Sequence, residues 1–293
     1  MMYVENTLNP PRLASRFAYG KKREIHDYSG KGLDESALRA FAPTIYADAA
    51  HASRSARYAH IPTSAVLGGL MREGFVVTTA TKALTRDETR KGFEKHMLRL
   101  RHASQLDRKN DSVNELILLN SHDGASAYQL MAGCFKFVCS NGLIVGKSYG
   151  EVRVRHSGKV QDEVVQGAFR LLDSFAEIDE SKASMSGLRL TEGEQTAFAR
   201  AALALRYPDH EPDAMPLKPE QVTAPRRYAD NGADLWSTFN RAQENLLTGG
   251  QRQQTAPGGR RARTRAVQGI DGNVGLNRAL WTLAEEMGKL KSA

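Results

Sequence analysis

The hydrophobic period of this chain changes once, near residue 160, and that change divides what it can fold into. Before it, apolar residues alternate with polar ones in short runs such as HMLRLRH at 96–102 and EVRVRHS at 151–157. After it they recur at helical spacing, as in Val164, Val165, Ala168, Leu171, Leu172 and Phe175. Alternation puts successive side chains on opposite faces of a strand, whereas a 3.6-residue period gathers them into one stripe along a helix. The expected fold is therefore α+β, with an N-terminal half that is a mostly antiparallel sheet with hairpins and short helices, and a helical C-terminal half. Residues 1–33, polar and marked by Pro10-Pro11 and Lys21-Lys22-Arg23, show no period and read as a flexible arm. Residues 34–160 form the β-rich region, and 161–293 the helical region with a basic loop at 249–265.

Local signals fill in this outline. Helices are expected from Asp34 to about Phe41 and from Thr63 or Ser64 to Arg72, ahead of Gly74. GFVVTTATKA and HMLRLRH follow as strands, with a short helix between them where Thr85 and Glu88 have capping-box spacing. ELILLNSHDGASAYQLMA reads as a hairpin turning at Asp123-Gly124, and FKFVCSNGLIVG as further apolar structure broken at Asn141-Gly142. Farther on, Thr191 and Glu194 open a helix to about Leu205. Two more apolar stripes carry Trp236 and Trp281, which are expected in the core.

The composition excludes several classes. Of 293 residues, 41% are hydrophobic and 25% charged, which is ordinary for a globular protein. No apolar run is long enough to span a membrane, and the start MMYVENTLNPPRLASRF lacks the apolar centre of a signal peptide, so a cytoplasmic location without membrane contact is expected. Cys134 and Cys139 are too few for a disulfide framework and lack metal-site spacing.

Charge is the strongest functional signal. The net charge is +8, and it is segregated. Residues 249–265 hold Arg252, Arg260, Arg261, Arg263 and Arg265 with no acid, whereas 162–180 hold six acids against Arg170. Read as strands, 96–102 and 151–157 add Arg99 with Arg101 and Arg153 with Arg155, each pair on one face. Such a distribution suits a protein that follows a phosphate backbone and displaces its counterions. Tyr128, Phe135, Phe137 and Tyr149 could stack on bases, but each sits in an apolar pattern that core packing explains better.

Enzyme motifs fare worse. Gly146-Lys147-Ser148-Tyr149-Gly150 matches a nucleophile-elbow string and, with Gly142, part of a phosphate-binding loop, yet a strand follows where both need a helix. Asp162, Asp173, Glu180 and Lys182 resemble the acids and lysine of a metal-dependent nuclease, but they fall on or beside an amphipathic helix. His96 and His102 have no metal-ligand spacing. No catalytic residue, metal ligand or cofactor is expected, and a nuclease remains a minor alternative.

Several segments together carry a resemblance: HMLRLRH, ELILLNSHDGASAYQL, FKFVCSNGLIVG, DLWSTFNRAQENLLTGG and TRAVQGIDGNVGLNRALWTLAEEM. From about residue 34 to the C-terminus they resemble an uncharacterised plasmid- and prophage-encoded family, domain of unknown function nine-three-two, typified by YubP and YafZ. The arm at 1–33 lies outside that resemblance. What the resemblance implies is context, an accessory protein of a mobile genetic element, with no catalytic residues to carry over. The resulting expectation is a non-enzymatic protein that binds DNA, single-stranded by preference, through Arg99, Arg101, Arg153, Arg155, Arg260, Arg261, Arg263 and Arg265. The helical half would buttress the sheet and is a candidate for self-association. The alternative is an inhibitor that docks its basic loop on an acidic host defence factor or toxin.

Overall fold

The computed structural model describes residues 23–27, 29–55, 58, 60–106, 112–136, 141–145, 151–154, 160–254 and 262–292. Among these residues seven strands form one sheet in which every pairing is antiparallel: β1 (Glu24–His26), β2 (Phe75–Lys82), β3 (His96–His102), β4 (Ser112–Asn120), β5 (Tyr128–Lys136), β6 (Asn141–Ile144) and β7 (Glu151–Val154). The first six follow sequence order, and β7 shares the outer edge of β5 with β6. β6 takes Gly133–Lys136 and β7 takes Tyr128–Met131.

Two short helices belong to the sheet region, α1 (Glu35–Phe41), capped by Asp34, and α2 (Thr63–Arg72). Among the described residues six follow: α3 (Val160–Asp173), α4 (Phe175–Gly187), α5 (Glu192–Arg206), α6 (Pro219–Thr223), α7 (Leu235–Thr248) and α8 (Ile270–Ser292). The α+β reading therefore holds. The Thr191–Glu194 capping box is formed, and among the described residues no helix is long and apolar enough to cross a membrane.

Four local expectations change. Arg23–His26 is not part of a loose arm, because β1 pairs with Thr79–Thr81 of β2 and Lys82 N donates to Arg23 O at 2.9 Å. The helix between β2 and β3 is a single turn, Glu88–Arg90, capped by Asp87, whose carboxylate sits nearer the free N–H groups than Thr85 does. The β4–β5 hairpin turns through residues 121–127 instead of a two-residue turn. Gly124 has φ +79°, but Asp123 Oδ1 accepts from Ala125 N at 2.9 Å, and His51 N and Phe93 O bind His122, which holds the loop wider. Asn141-Gly142 lies inside β6, where pairing with Phe135 and Lys136 overrides its turn preference.

The two faces of the sheet differ. Leu98, Leu100, Leu116, Leu118, Leu130 and Ala132 point to one face, under α2 and α3. Their cluster runs without a break into the helical half, through Phe175, Phe198 and Phe239 to Trp281, while Trp236 packs half-buried against it. Met97, Ile117, Leu119, Met131 and Ile144 point to the opposite face and receive Ile270 and Val274 from the start of α8. Beside this small apolar cluster the second face is polar, and the candidate site lies there.

Candidate nucleic-acid interface

Between α7 and α8 the chain forms a two-stranded ribbon. Arg252 and Arg263 bridge in antiparallel fashion, Gly250 N donates to Thr264 O, Thr264 N to Gln251 O and Gln253 N to Ala262 O, all at 2.8–2.9 Å. Its root is fixed at Gly249 (φ +65°), where an added Cβ would stand 2.7 Å from the Arg265 carbonyl carbon, so the returning strand passes where only glycine leaves room. Thr264 is buried, and Val267 N donates to Leu247 O at 2.8 Å.

Five guanidinium groups surround this root. Arg226 donates to Asn245 Oδ1 and Gly249 O, both at 2.7 Å. Arg263 donates to Gly250 O at 2.7 Å and Arg206 to Arg265 O at 3.3 Å. Arg252 and Arg265 are exposed. The partners of Arg206, Arg226 and Arg263 are carbonyl and amide oxygens, and among the described residues none of the five pairs with a carboxylate. A carbonyl orients a guanidinium without cancelling its charge, so this patch keeps its positive potential.

The strand arginines are placed otherwise. Arg99 is 4% exposed and donates to Glu115 Oε2 at 3.0 Å, while Arg101 donates to Glu115 Oε1 at 2.7 Å. Glu115 itself is fully buried on β4. The bulge at Thr78 turns that hydroxyl to the same carboxylate at 3.5 Å. Arg99 is thus a buried, carboxylate-matched group of the second face, and Arg101, partly buried beside it, shares the same carboxylate, so both charges are already engaged within the fold. Arg153 is exposed on β7 and shares that face by alternation, aligned across β5 and β4 with Met97, about 14 Å away by three strand spacings. α8 crosses between, since Val274 packs on the apolar cluster and Arg278 pairs with Glu151 at 3.1 Å. The structure therefore brings Arg263 and Arg265 together with Arg206, Arg226 and Arg252, and leaves Arg153 apart. Arg155, Arg260 and Arg261 lie outside the described residues, as do Cys139 and the Gly146–Gly150 motif.

A cleft of about 300 Å³ opens beside the ribbon root, between β1–β3 and the ends of α7 and α8. Glu24, Thr81, Arg99, Gln243, Ile270 and Asn273 are among its walls. Gln243 is 1% exposed and donates to Asn277 Oδ1 at 2.9 Å, which fixes its amide. Thr81 Oγ1 is buried without a hydrogen-bond partner. Arg23 at the rim donates to Gln268 O at 3.3 Å. Sequence reasoning missed this cleft because α7 presents buried polar residues, Asn240 to Asn245 among them, where only the apolar stripe was legible. Three of these hold a loop: Arg241 binds Asp230 O, Glu244 pairs with Arg227, and Asn245 donates to Val222 O and Ala224 O.

On the first face, Thr63 of α2 gathers a neutral polar cluster. His96 Nδ1 lies 3.1 Å from Glu94 O and so carries the proton, which makes Nε2 the acceptor of the Thr63 hydroxyl at 2.9 Å. His122 Nε2 at 3.2 Å and Asn120 Nδ2 at 2.9 Å then donate to Thr63 Oγ1. Burial pulls His96 down to about 4 from its ordinary 6.5. Lys182 is likewise structural, bound to Asp179 at 2.6 Å and Asn114 at 3.1 Å, and Cys134 beside it is buried, which pushes its thiol up. Among the described residues no group of three histidine, cysteine or acidic side chains is placed to hold a metal ion.

A mixed sheet-and-helix chain with these features belongs to a family already delimited by sequence. Residues 50–281 match the family described as domain of unknown function (DUF932), so the chain is a member of it. It is similar to the UPF0380 proteins YfjQ and YafZ of Escherichia coli (strain K12), 45% identical to each over 276 residues, or 94% of this chain and 97% of theirs. That span leaves only 17 of the 293 residues outside, so the likeness reaches into 1–33, which sequence reading had excluded. No solved structure matches the chain significantly.

Proposed function

We propose that this protein binds single-stranded DNA non-enzymatically through the basic patch at the ribbon root, as an accessory protein of a mobile genetic element. The observation that carries this reading is a set of five arginines without carboxylate partners among the described residues, three of them, Arg206, Arg226 and Arg263, held by carbonyl and amide oxygens and the other two, Arg252 and Arg265, exposed. Such groups contact phosphate without first giving up an ion pair, and they read charge instead of sequence. Arg260 and Arg261 extend the same segment in sequence and add to its charge. Arg99 and Arg101 have no part in this reading. The mobile-element setting rests on the family resemblance alone.

The test is affinity for single-stranded DNA as a function of salt. Five phosphate contacts give a slope of log K against log salt of about −3.5. Absence of binding to any DNA at low ionic strength would end the reading.

A further inference from the structure

We propose that Tyr228 is a platform on which one unpaired base of the bound strand stacks, so that this ring supplies a preference for single strands that phosphate contacts alone do not give. The inference rests on the DNA-binding reading and adds a base contact to it. Tyr228 is 96% exposed, the highest value among the large apolar side chains of the described residues, and no hydrogen bond, ring or cation among those residues engages its side chain. Other rings are committed: Tyr128 is fully buried, and the guanidinium of Arg206 covers Tyr207 at 5.0 Å from the ring centroid. A single exposed ring is ordinary on a protein surface, so its role depends on how it is mounted and what lies beside it.

The segment that carries Tyr228 is laid along α7 and tied down on both sides of the ring. Asn245 donates to Val222 O at 2.8 Å and to Ala224 O at 2.9 Å, and Arg226 donates to Asn245 and to Gly249 O at the ribbon root. Arg227 grips the Glu244 carboxylate with bonds of 2.6 and 2.9 Å, and Arg241 donates to Asp230 O at 2.7 Å. From Asn245 to Arg241 is about 6 Å of helix, and Tyr228 sits in the chain between the ties to those two residues. The ring therefore stands a short step from the Arg226 guanidinium, which is itself exposed. Its backbone is held in the single turn Tyr228–Asp230, so binding has only two side-chain torsions to fix. Asp230 and Glu244, the carboxylates of this region, are each 6% exposed and paired with Arg227, so they do not confront an approaching phosphate. A strand with a phosphate on Arg226 can thus lay the adjacent base on Tyr228. Every base offers a π-face, which makes the contact tolerant of sequence, whereas an interior base of a duplex has both faces already stacked.

The test compares a ring with a charge. Fluorescence anisotropy on the full chain measures binding of oligo(dT), of a strand of equal length built from abasic sites, and of a duplex of that length, with thermal melting as the fold control. The proteins are the wild type, Tyr228→Ala, Tyr228→Phe and the double variant Arg263→Ala/Arg265→Ala. For Tyr228→Ala the expected result is an oligo(dT) affinity about tenfold weaker at an unchanged slope against salt, with no change on the abasic strand or the duplex. Tyr228→Phe keeps the ring and should bind oligo(dT) as the wild type does. The arginine variant should instead weaken all three ligands and flatten the single-strand slope by about 1.4, the share of two phosphate contacts. An oligo(dT) affinity of Tyr228→Ala equal to that of the wild type overturns the proposal and leaves the DNA-binding reading intact. So does an equal loss on the abasic strand, or a Tyr228→Phe as weak as Tyr228→Ala, because neither effect comes from stacking. If none of the three ligands binds at low ionic strength, both readings end.

Discussion

Arg99, buried, and Arg101, partly buried, rest on β3 against the carboxylate of Glu115, whereas Arg263 and Arg265 on the ribbon are exposed, and Arg263 rests on a backbone carbonyl. Both pairs come from short, strongly basic segments of the chain. The comparison teaches that the partner of an arginine, more than the local density of arginines, decides whether its charge serves folding or binding. Removing a guanidinium from water costs several kcal/mol and is tolerated on the second face because one carboxylate is placed between two of them. At the ribbon the groups stay hydrated and their field reaches outward.

The largest effect should come from breaking the first member of this comparison. Glu115→Ala takes away the buried carboxylate on which both Arg99 and Arg101 rest, and a loss of about 3–5 kcal/mol is expected. A lower urea midpoint at unchanged slope would show it. Replacing Arg99, Arg101 and Glu115 together with methionine should recover most of that loss, because an apolar trio of similar volume carries no charge to desolvate. If Glu115→Ala is neutral, the pair is not a buried device and the distinction between the two arginine sets fails.

The first face of the sheet sharpens the comparison, since its buried polar groups are neutral. The unfolded chain binds a proton at His96 near pH 6.5, while the folded chain resists it down to about 4. Protons therefore favour the unfolded state within that window. Stability from this group is complete above pH 6.5 and falls as the pH drops toward 4, by up to roughly 3 kcal/mol. Urea midpoints measured across that range should decline in the wild type and decline less in His96→Gln. Parallel curves would mean that His96 is not the group being titrated.

The fold was legible where one physical term dominated. Periodicity located β2, β3, β4 and α3, and caps located α1 and α5, because alternation and orphan N–H groups act within a few residues. Trp281 in the core followed from its stripe. What stayed hidden depended on a partner distant in sequence. Glu115 sits within the apolar run ELILL, and nothing local says that its carboxylate meets Arg99 and Arg101 across the β3–β4 register. β1 was invisible because its strand exists through pairing with β2 and has three residues of its own. The ribbon's arginines were legible as charge, but the contribution of Arg206 and Arg226 appears only when α5 and the segment after α6 are folded against its root.

The smallest effect on stability, and the clearest on binding, belongs to the second member of the comparison. Arg263→Ala and Arg265→Ala remove exposed side chains, so each should change unfolding free energy by no more than about 0.5 kcal/mol. Each should also lower the salt dependence of single-stranded DNA binding by about 0.7 in slope, the share of one phosphate contact. Arg153→Ala provides the internal control. It is equally exposed, but α8 lies between it and the ribbon root, so its slope should match the wild type. A reduction for Arg153→Ala as large as that for Arg263→Ala would mean that bound DNA crosses α8, and the positive surface would then extend over the whole second face instead of ending at the ribbon.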